Sequence, residues 1–520
     1  MFLDLRGAAA SPAFHYRSDL WRHLRGPRPF SLGARLFGTL GENYREAIRR
    51  YYRGLVSAGV VKIKTVSPSK AAVVLAPQYN TCGAEVARGK EWYKFHEADA
   101  LDFEKGMKAC GMKAKMFVFD AKWEGKYGRL RHSPERFPNF ETMLARLRKE
   151  GFLIGMWAAF LRVEEPAELG LTMGHVLRQK DGKPFSRSEG DKTFYILDFT
   201  QPEVQEALRR LAGDFVRRYQ PDMVKFDFGY EIPGLSVAAP KNMALAGEKV
   251  LLSGVEVVVE AMRQVKPDIA IMYYSLSPLF VEYFDLHSPD DLFLCQGDYD
   301  LEANRRFFFS SLLGELGMPT YGSGGYEWQS MPDIWFDSTP LGTLGSLLSF
   351  DGDERNQKPT PQRVAKFNGC AKALRPSVHY TVEPLDADYL GPARAARAAS
   401  WARFEDGKPV LVALRSHRWD GKAAARRYRD IVATTASVIV SSKTAAPLPA
   451  SPSLVIVPFG DGEVTIRRSS DATFAVRRHS FDGAVESTRI STRERVLRLS
   501  FQEQTASGVP VEYFELEASA

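Results

Sequence analysis

The sequence predicts a (β/α)8 barrel followed by a C-terminal antiparallel β-sandwich. Three observations carry this reading. Between residues 71 and 350, short unbroken apolar runs alternate with amphipathic helical segments. Runs of that kind are strands buried on both faces, which means a parallel sheet covered by helices. Several runs end on a polar side chain, as strands of a parallel barrel do at the rim where chemistry sits. From about residue 386 the texture changes to short strands separated by Asp-Gly turns.

Taken in order, residues 1–70 read as the remnant or end of a β-sandwich domain plus a helix. Tyr44, Ile48, Tyr51 and Leu55 follow helical spacing there. Residues 71–385 read as the barrel. Its strands are expected at 71–76 (AAVVLA), 115–119, 152–160, 223–226, 269–274 and 292–295, with two weaker ones near 318–321 and 344–350. Val204, Ala207, Leu208, Leu211 and Phe215 mark one intervening helix, and Phe140, Met143, Leu144 and Leu147 another. Residues 386–520 read as the sandwich, with strands at 410–414, 437–440, 454–457, 464–466, 474–477, 496–501 and 511–516.

The bulk numbers set limits. A chain of 520 residues, 44% hydrophobic and of mean hydropathy −0.26, folds rather than staying disordered and is long enough for two or three domains. No apolar run reaches the length of a membrane helix. The net charge is +7, but the arginines are dispersed, and the densest stretch, 394–429, lacks interleaved aromatics. It reads as a solvated face, so no nucleic-acid partner is expected. Cys82, Cys110, Cys295 and Cys370 lie far apart and no His pair has ligand spacing, so free thiols and no metal or organic cofactor are expected. Asp4 and Arg6 interrupt what would be the core of a signal peptide, and a cytoplasmic protein is expected.

The chemistry centres on residues 221–231, PDMVKFDFGYE. Lys225 and Asp227 are two apart and share a strand face. The polar strand tips collect as Asn80, Asp120, Trp157, Lys225, Asp227, Tyr274 and Asp298, all at one mouth of the barrel. Two carboxylates on strands four and six, among aromatics and hydrogen-bonding groups, suit glycoside hydrolysis, with Asp227 as nucleophile and Asp298 as general acid/base. Lys225 is expected to keep Asp227 ionised, and Asp298 to start protonated. Several alternatives stay open on the residues alone. Asp300 is a second candidate for the acid. Trp123 and Trp157 are either sugar platforms or core, and Glu231 reads as a surface residue. Lys225 is compatible with a strand-end salt bridge or with a Schiff-base aldolase. A non-catalytic carbohydrate binder also fits.

Residues 225–229 (KFDFG) resemble the KxD nucleophile strand of the α-galactosidase superfamily, which holds the melibiases and raffinose synthases. Residues 298–305 (DYDLEANR) resemble the SDNTDAIER segment, with the same Asp-to-Arg offset to Arg305. Residues 119–123 (FDAKW) resemble the (L/I)DDGW sugar-contact motif, which is what places Asp120 and Trp123 among the substrate contacts. Residues 130–140, with SPERFPNF at 133–140, resemble the FPNG stretch and 151–160 the GLKFGLWFEP stretch. The resemblance implies a retaining α-glycosidase, or a raffinose-synthase-type transglycosylase. It implies a small oligosaccharide or glycoside as the only partner, without nucleic acid or membrane, and is compatible with a homo-oligomer. Two departures bear on the sugar. Ala121 stands where the motif has its second Asp, and YYSLSP stands where CxxGGGRxD is expected.

Overall fold

Eight parallel strands close into a barrel: β1 (Gln78–Asn80), β2 (Met116–Phe119), β3 (Leu153–Ala158), β4 (Met223–Phe226), β5 (Ala270–Tyr273), β6 (Leu286–His287), β7 (Thr320–Gly322) and β8 (Gly342–Ser346). β1 closes the ring by pairing with both β2 and β8. The computed structural model describes residues 41–90, 92–274, 277–289, 305–322, 333–346, 358–387, 398–417, 424–434 and 436–519.

Alternation along the strands explains the core. Met116 and Val118 of β2, Met223 of β4, Ala270 and Met272 of β5 and Leu286 of β6 pack together as the barrel interior. Their neighbours Phe117, Phe119, Val224, Phe226, Ile271 and Tyr273 face the helices and join the larger outer core. That is the period of two expected of a strand. Gly155 of β3 is required inside the ring, because a Cβ there would lie 2.7 Å from Val118 Cγ2.

Two strand expectations are corrected. The apolar run 71–76 falls largely in the helix Pro68–Val74, and the first strand follows it at Gln78–Asn80. The helix starts there because Ser67 Oγ caps the Lys70 amide at 3.2 Å and Pro68 opens the first turn. The sixth strand is Leu286–His287, whereas 292–295 lies outside the described residues. A strand of two residues has too short an apolar run to show in sequence.

The helix Tyr44–Ser57 is tied to both parts of the molecule. Its Arg45 is buried and donates to Ser311 Oγ at 2.7 Å and to the Val382 carbonyl at 2.5 Å. The C-terminal part is a pair of antiparallel sheets, one of eight strands and one of four. The larger sheet begins at Thr381–Pro384, slightly before the expected boundary at 386. Strands Trp401–Glu405, Ile431–Ala433 and Val485–Ser491 add to those read from sequence. Buried Asp337 of the barrel accepts from Trp401 Nε1 and from Arg415, both at 2.9 Å, and fastens the two parts together. No helix among the described residues is long and apolar enough to cross a membrane.

Candidate active site

The inward-facing series runs on past the apolar interior to a polar layer at the C-terminal ends of the strands. Asn80, Asp120, Trp157, Lys225, Asp227 and Tyr274 all lie within one residue of the C-terminal ends of strands β1 to β5. Within this layer the polar groups form two nodes.

The first node is Asp120. Its Oδ2 accepts from Asn80 Nδ2 at 2.7 Å and from Lys225 Nζ at 2.8 Å, and its Oδ1 accepts from the Ala121 amide at 2.9 Å. Lys225 therefore reaches across β3 to the tip of β2 and pairs there with Asp120. Behind the node lies Glu85. Thr81 Oγ1 receives the Asp120 amide at 2.9 Å and donates to Glu85 Oε1 at 2.5 Å. Burial, and then the neighbouring Asp120 charge, hold the Glu85 carboxyl well above the usual carboxylate range.

The second node is Asp227. Trp157 Nε1 donates to Oδ2 at 2.9 Å, while Oδ1 accepts from the Phe228 amide at 2.7 Å and from the Tyr274 hydroxyl. Phe228 turns the chain sharply, with a left-handed φ of +63°. Such a residue costs about 1–2 kcal/mol and persists where its surroundings hold it. Here the Arg162 guanidinium lies 3.3 Å from the Phe228 ring centroid, and Trp157 and Tyr127 pack edge-on to it. Gly229 must be glycine, because a Cβ there would sit 1.2 Å from the Tyr273 hydroxyl.

Each expected residue can now be placed. Asn80, Asp120, Lys225, Trp157, Asp227 and Tyr274 converge on the mouth. Trp157 and Tyr274 hold the Asp227 carboxylate. Trp123 does not converge, and its reading as a sugar platform is corrected. It is fully buried, its ring stacks on Phe140 at 5.5 Å, and its Nε1 donates to the Trp157 carbonyl at 2.8 Å. It is core behind β3. Asp298 and Asp300 lie outside the described residues, on the segment between β6 and the short helix Arg305–Ser310, which Arg305 opens.

Sequence reasoning missed the support beneath Phe228. Glu231 is buried, not on the surface, and accepts two hydrogen bonds from Arg162, both at 2.7 Å. Arg162 also reaches Glu189, on the exposed hairpin Ser186–Glu189 and Lys192–Tyr195, at 2.6 Å. Burial alone would weaken the Arg162 proton, but the Glu231 carboxylate more than offsets this and the net shift is upward. A neighbouring cluster was equally silent. Lys122 Nζ sits 3.3 Å from the Tyr127 ring centroid and 2.8 Å from Glu164. Burial nevertheless pushes Lys122 down to about 8 and nearby Glu124 up to about 8. Among the described residues no group of three or more His, Cys, Asp or Glu is placed to hold a metal ion.

Comparison with known proteins agrees with this architecture. Residues 75–249, from just before β1 to the start of the helix after β4, match the family model described as the glycosyl hydrolases family 31 TIM-barrel domain. The match places the barrel in the glycoside hydrolase superfamily, and not specifically among the α-galactosidases. Solved structures with a similar fold include a family 36 α-galactosidase from Geobacillus stearothermophilus bound to 1-deoxygalactonojirimycin, with a TM-score of 0.50 and 12% identity over 91% of this chain and 59% of that one. An α-galactosidase from Lactobacillus brevis gives 0.51 and 13% over 91% and 59%, and a glucosidase II α subunit gives 0.50 and 11% over 92% and 64%. The chain thus spans about three fifths of the length of these structures, and the likeness is one of fold. No curated protein matches the chain.

Proposed function

We propose that the protein is a retaining α-glycosidase that removes a terminal α-linked sugar by double displacement. The observation that carries the reading is Asp227. It sits just past β4 in a closed barrel, its carboxylate fixed by Trp157, Tyr274 and the Phe228 amide, beside the Asp120–Lys225 pair. In the first step an Asp227 oxygen bonds to the anomeric carbon, the glycosidic C–O bond breaks, and the leaving oxygen takes a proton from the general acid. In the second step water attacks the same carbon and gives its proton to that group, and the electron pair returns to Asp227. Asp298 is assigned as the acid/base, with Asp300 the alternative two residues on. The Asp120–Lys225–Asn80 node is assigned to the hydroxyls of the bound sugar. A carboxylate offers about four acceptor sites, and the contacts above use three of those of Asp120, which leaves one for a sugar hydroxyl. Lys225 engaged with Asp120 at 2.8 Å favours a charged, positioning lysine over a neutral Schiff-base nucleophile.

The test is Asp227→Ala, assayed with aryl α-glycosides of several sugars. The parent should turn over at least one of them, and the variant should lose about 10³-fold or more in kcat. Azide should partly rescue the variant and give the product of inverted configuration. Turnover of Asp227→Ala at the parent's rate would refute the proposal.

A further inference from the structure

The two oxygens of Asp227 are held differently. Among the described residues, Oδ1 accepts twice, from the Phe228 amide at 2.7 Å and from the Tyr274 hydroxyl. Oδ2 accepts from Trp157 Nε1 alone, at 2.9 Å. A carboxylate oxygen offers about two acceptor sites, so Oδ1 is saturated and Oδ2 keeps one lone pair. From this we propose that Oδ2 is the attacking oxygen, and that Tyr274 is a positioning residue that holds Oδ1 as the carbonyl oxygen of the glycosyl-enzyme. This rests on Asp227 being the nucleophile and assigns Tyr274 a different job from the sugar contact its strand-tip place suggests.

The surroundings fit a fixed role. The Tyr274 ring stacks on Tyr273 with centroids 4.6 Å apart, and the Tyr273 ring packs on Phe284 at 4.7 Å. Tyr273 in turn fills the space that Gly229 leaves open. The phenol is therefore set by strand β5 and by the turn after β4 at once, not by a mobile loop.

Tyr274 acts most where Asp227 is an anion or becomes one. In the second step the C1–Oδ2 bond breaks and its electron pair spreads over both oxygens, so a donor on Oδ1 makes the carboxylate a better leaving group. Without that hydroxyl, release from the enzyme slows more than attack does, and the glycosyl-enzyme accumulates. A hydrogen bond to a charged group is worth on the order of tenfold to a hundredfold in rate.

The experiment compares the parent with Tyr274→Phe, which keeps the ring and its stacking. With an aryl α-glycoside bearing a good leaving group, kcat should fall by about tenfold or more and KM should fall with it, after a burst of phenol equal to the enzyme present. The acid limb of kcat/KM should move to higher pH. Intact-mass analysis with a 2-deoxy-2-fluoroglycosyl fluoride should show the label on Asp227 in both proteins, with slower release in the variant. A raised KM with kcat unchanged would mean that Tyr274 binds sugar, and would overturn the proposal. Equal release rates from Asp227 would overturn it as well, while leaving the nucleophile assignment intact. A parent that carries no label on Asp227 would sink both.

Discussion

Glu231→Ala tests the support beneath the nucleophile. Glu231 and Arg162 are 4% and 5% exposed and share two hydrogen bonds of 2.7 Å. Breaking a buried pair by removing one partner costs about 3–5 kcal/mol, because the other charge stays buried. Glu189 still reaches Arg162, but its carboxylate is half exposed, and a pair of that kind offsets about 1 kcal/mol at most. The expected net loss is about 2–4 kcal/mol, read as a lower urea midpoint at unchanged slope. Function should suffer as well, because Arg162 covers the Phe228 ring and the Phe228 amide holds Asp227. The double variant Arg162→Met/Glu231→Leu separates the two effects. It buries no charge and should recover most of the stability, while kcat stays low. If Glu231→Ala unfolds within about 0.5 kcal/mol of the parent, or if the double variant loses the sum of the two single losses, the argument for a desolvated pair is wrong.

Two further predictions concern charge and specificity. Burial first, against the opposing pull of Lys122 and of the Leu130 amide, pushes Glu124 up to about 8. A carboxyl raised in the folded state favours folding fully below its unfolded value, and that contribution is lost as pH rises toward about 8, at up to about 1.4 kcal/mol per pH unit. Lys122, pushed down to about 8, adds its own dependence only above that pH. Glu124→Gln should therefore match the parent in a urea titration at about pH 3.5, below the unfolded carboxyl value, and exceed it at pH 8, and parallel profiles would show that Glu124 does not titrate this way. At position 121, alanine supplies no acceptor for a sugar hydroxyl, so aryl α-galactosides should be poor substrates and Ala121→Asp should raise the galactoside kcat/KM about tenfold relative to the best substrate. A parent kcat/KM on aryl α-galactoside above about 10⁴ M⁻¹s⁻¹ would refute that reasoning.

The barrel was legible because its strands announce themselves. Runs such as MFVF before Asp120 and MVKF before Asp227 are too short and too apolar for surface helices, and observed strands coincide with them. The failures have local causes. At 71–76 the apolar run was the buried side of a helix, and the decisive signal was the Ser67–Pro68 start rather than the hydrophobicity. At the sixth strand only two residues pair. Trp123 follows a motif that suggests the mouth, but the chain turns outward after Asp120, and the indole joins Phe140 and Phe215 between helices. Nothing near Glu231 in sequence marks it as buried, because its partner, Arg162, lies 69 residues earlier on another loop.

The same limit explains Lys225 and Asp227. Two residues apart on one strand, they should share a face, and the pleat does send Lys225 inward with Met223. But β4 ends at Phe226, and Asp227 precedes a left-handed residue. From that point the turn, not the pleat, directs the carboxylate, and it meets Trp157 of β3 and Tyr274 after β5. Lys225, still inside the strand, has a stem long enough to pass Trp157 and reach the tip of β2, where Asp120 waits with Asn80. A period-two argument thus identifies which residues enter the mouth, and fails at the first residue past the strand, where partners are chosen. The pairing that results places the cation on the carboxylate assigned to sugar binding and uncharged donors on the one assigned to attack. A lysine ammonium bound directly to Asp227 would stabilise its anion in the ground state and oppose bond formation to carbon. Hydroxyl, indole and amide donors orient the carboxylate with less of that cost, which is the arrangement a nucleophile needs.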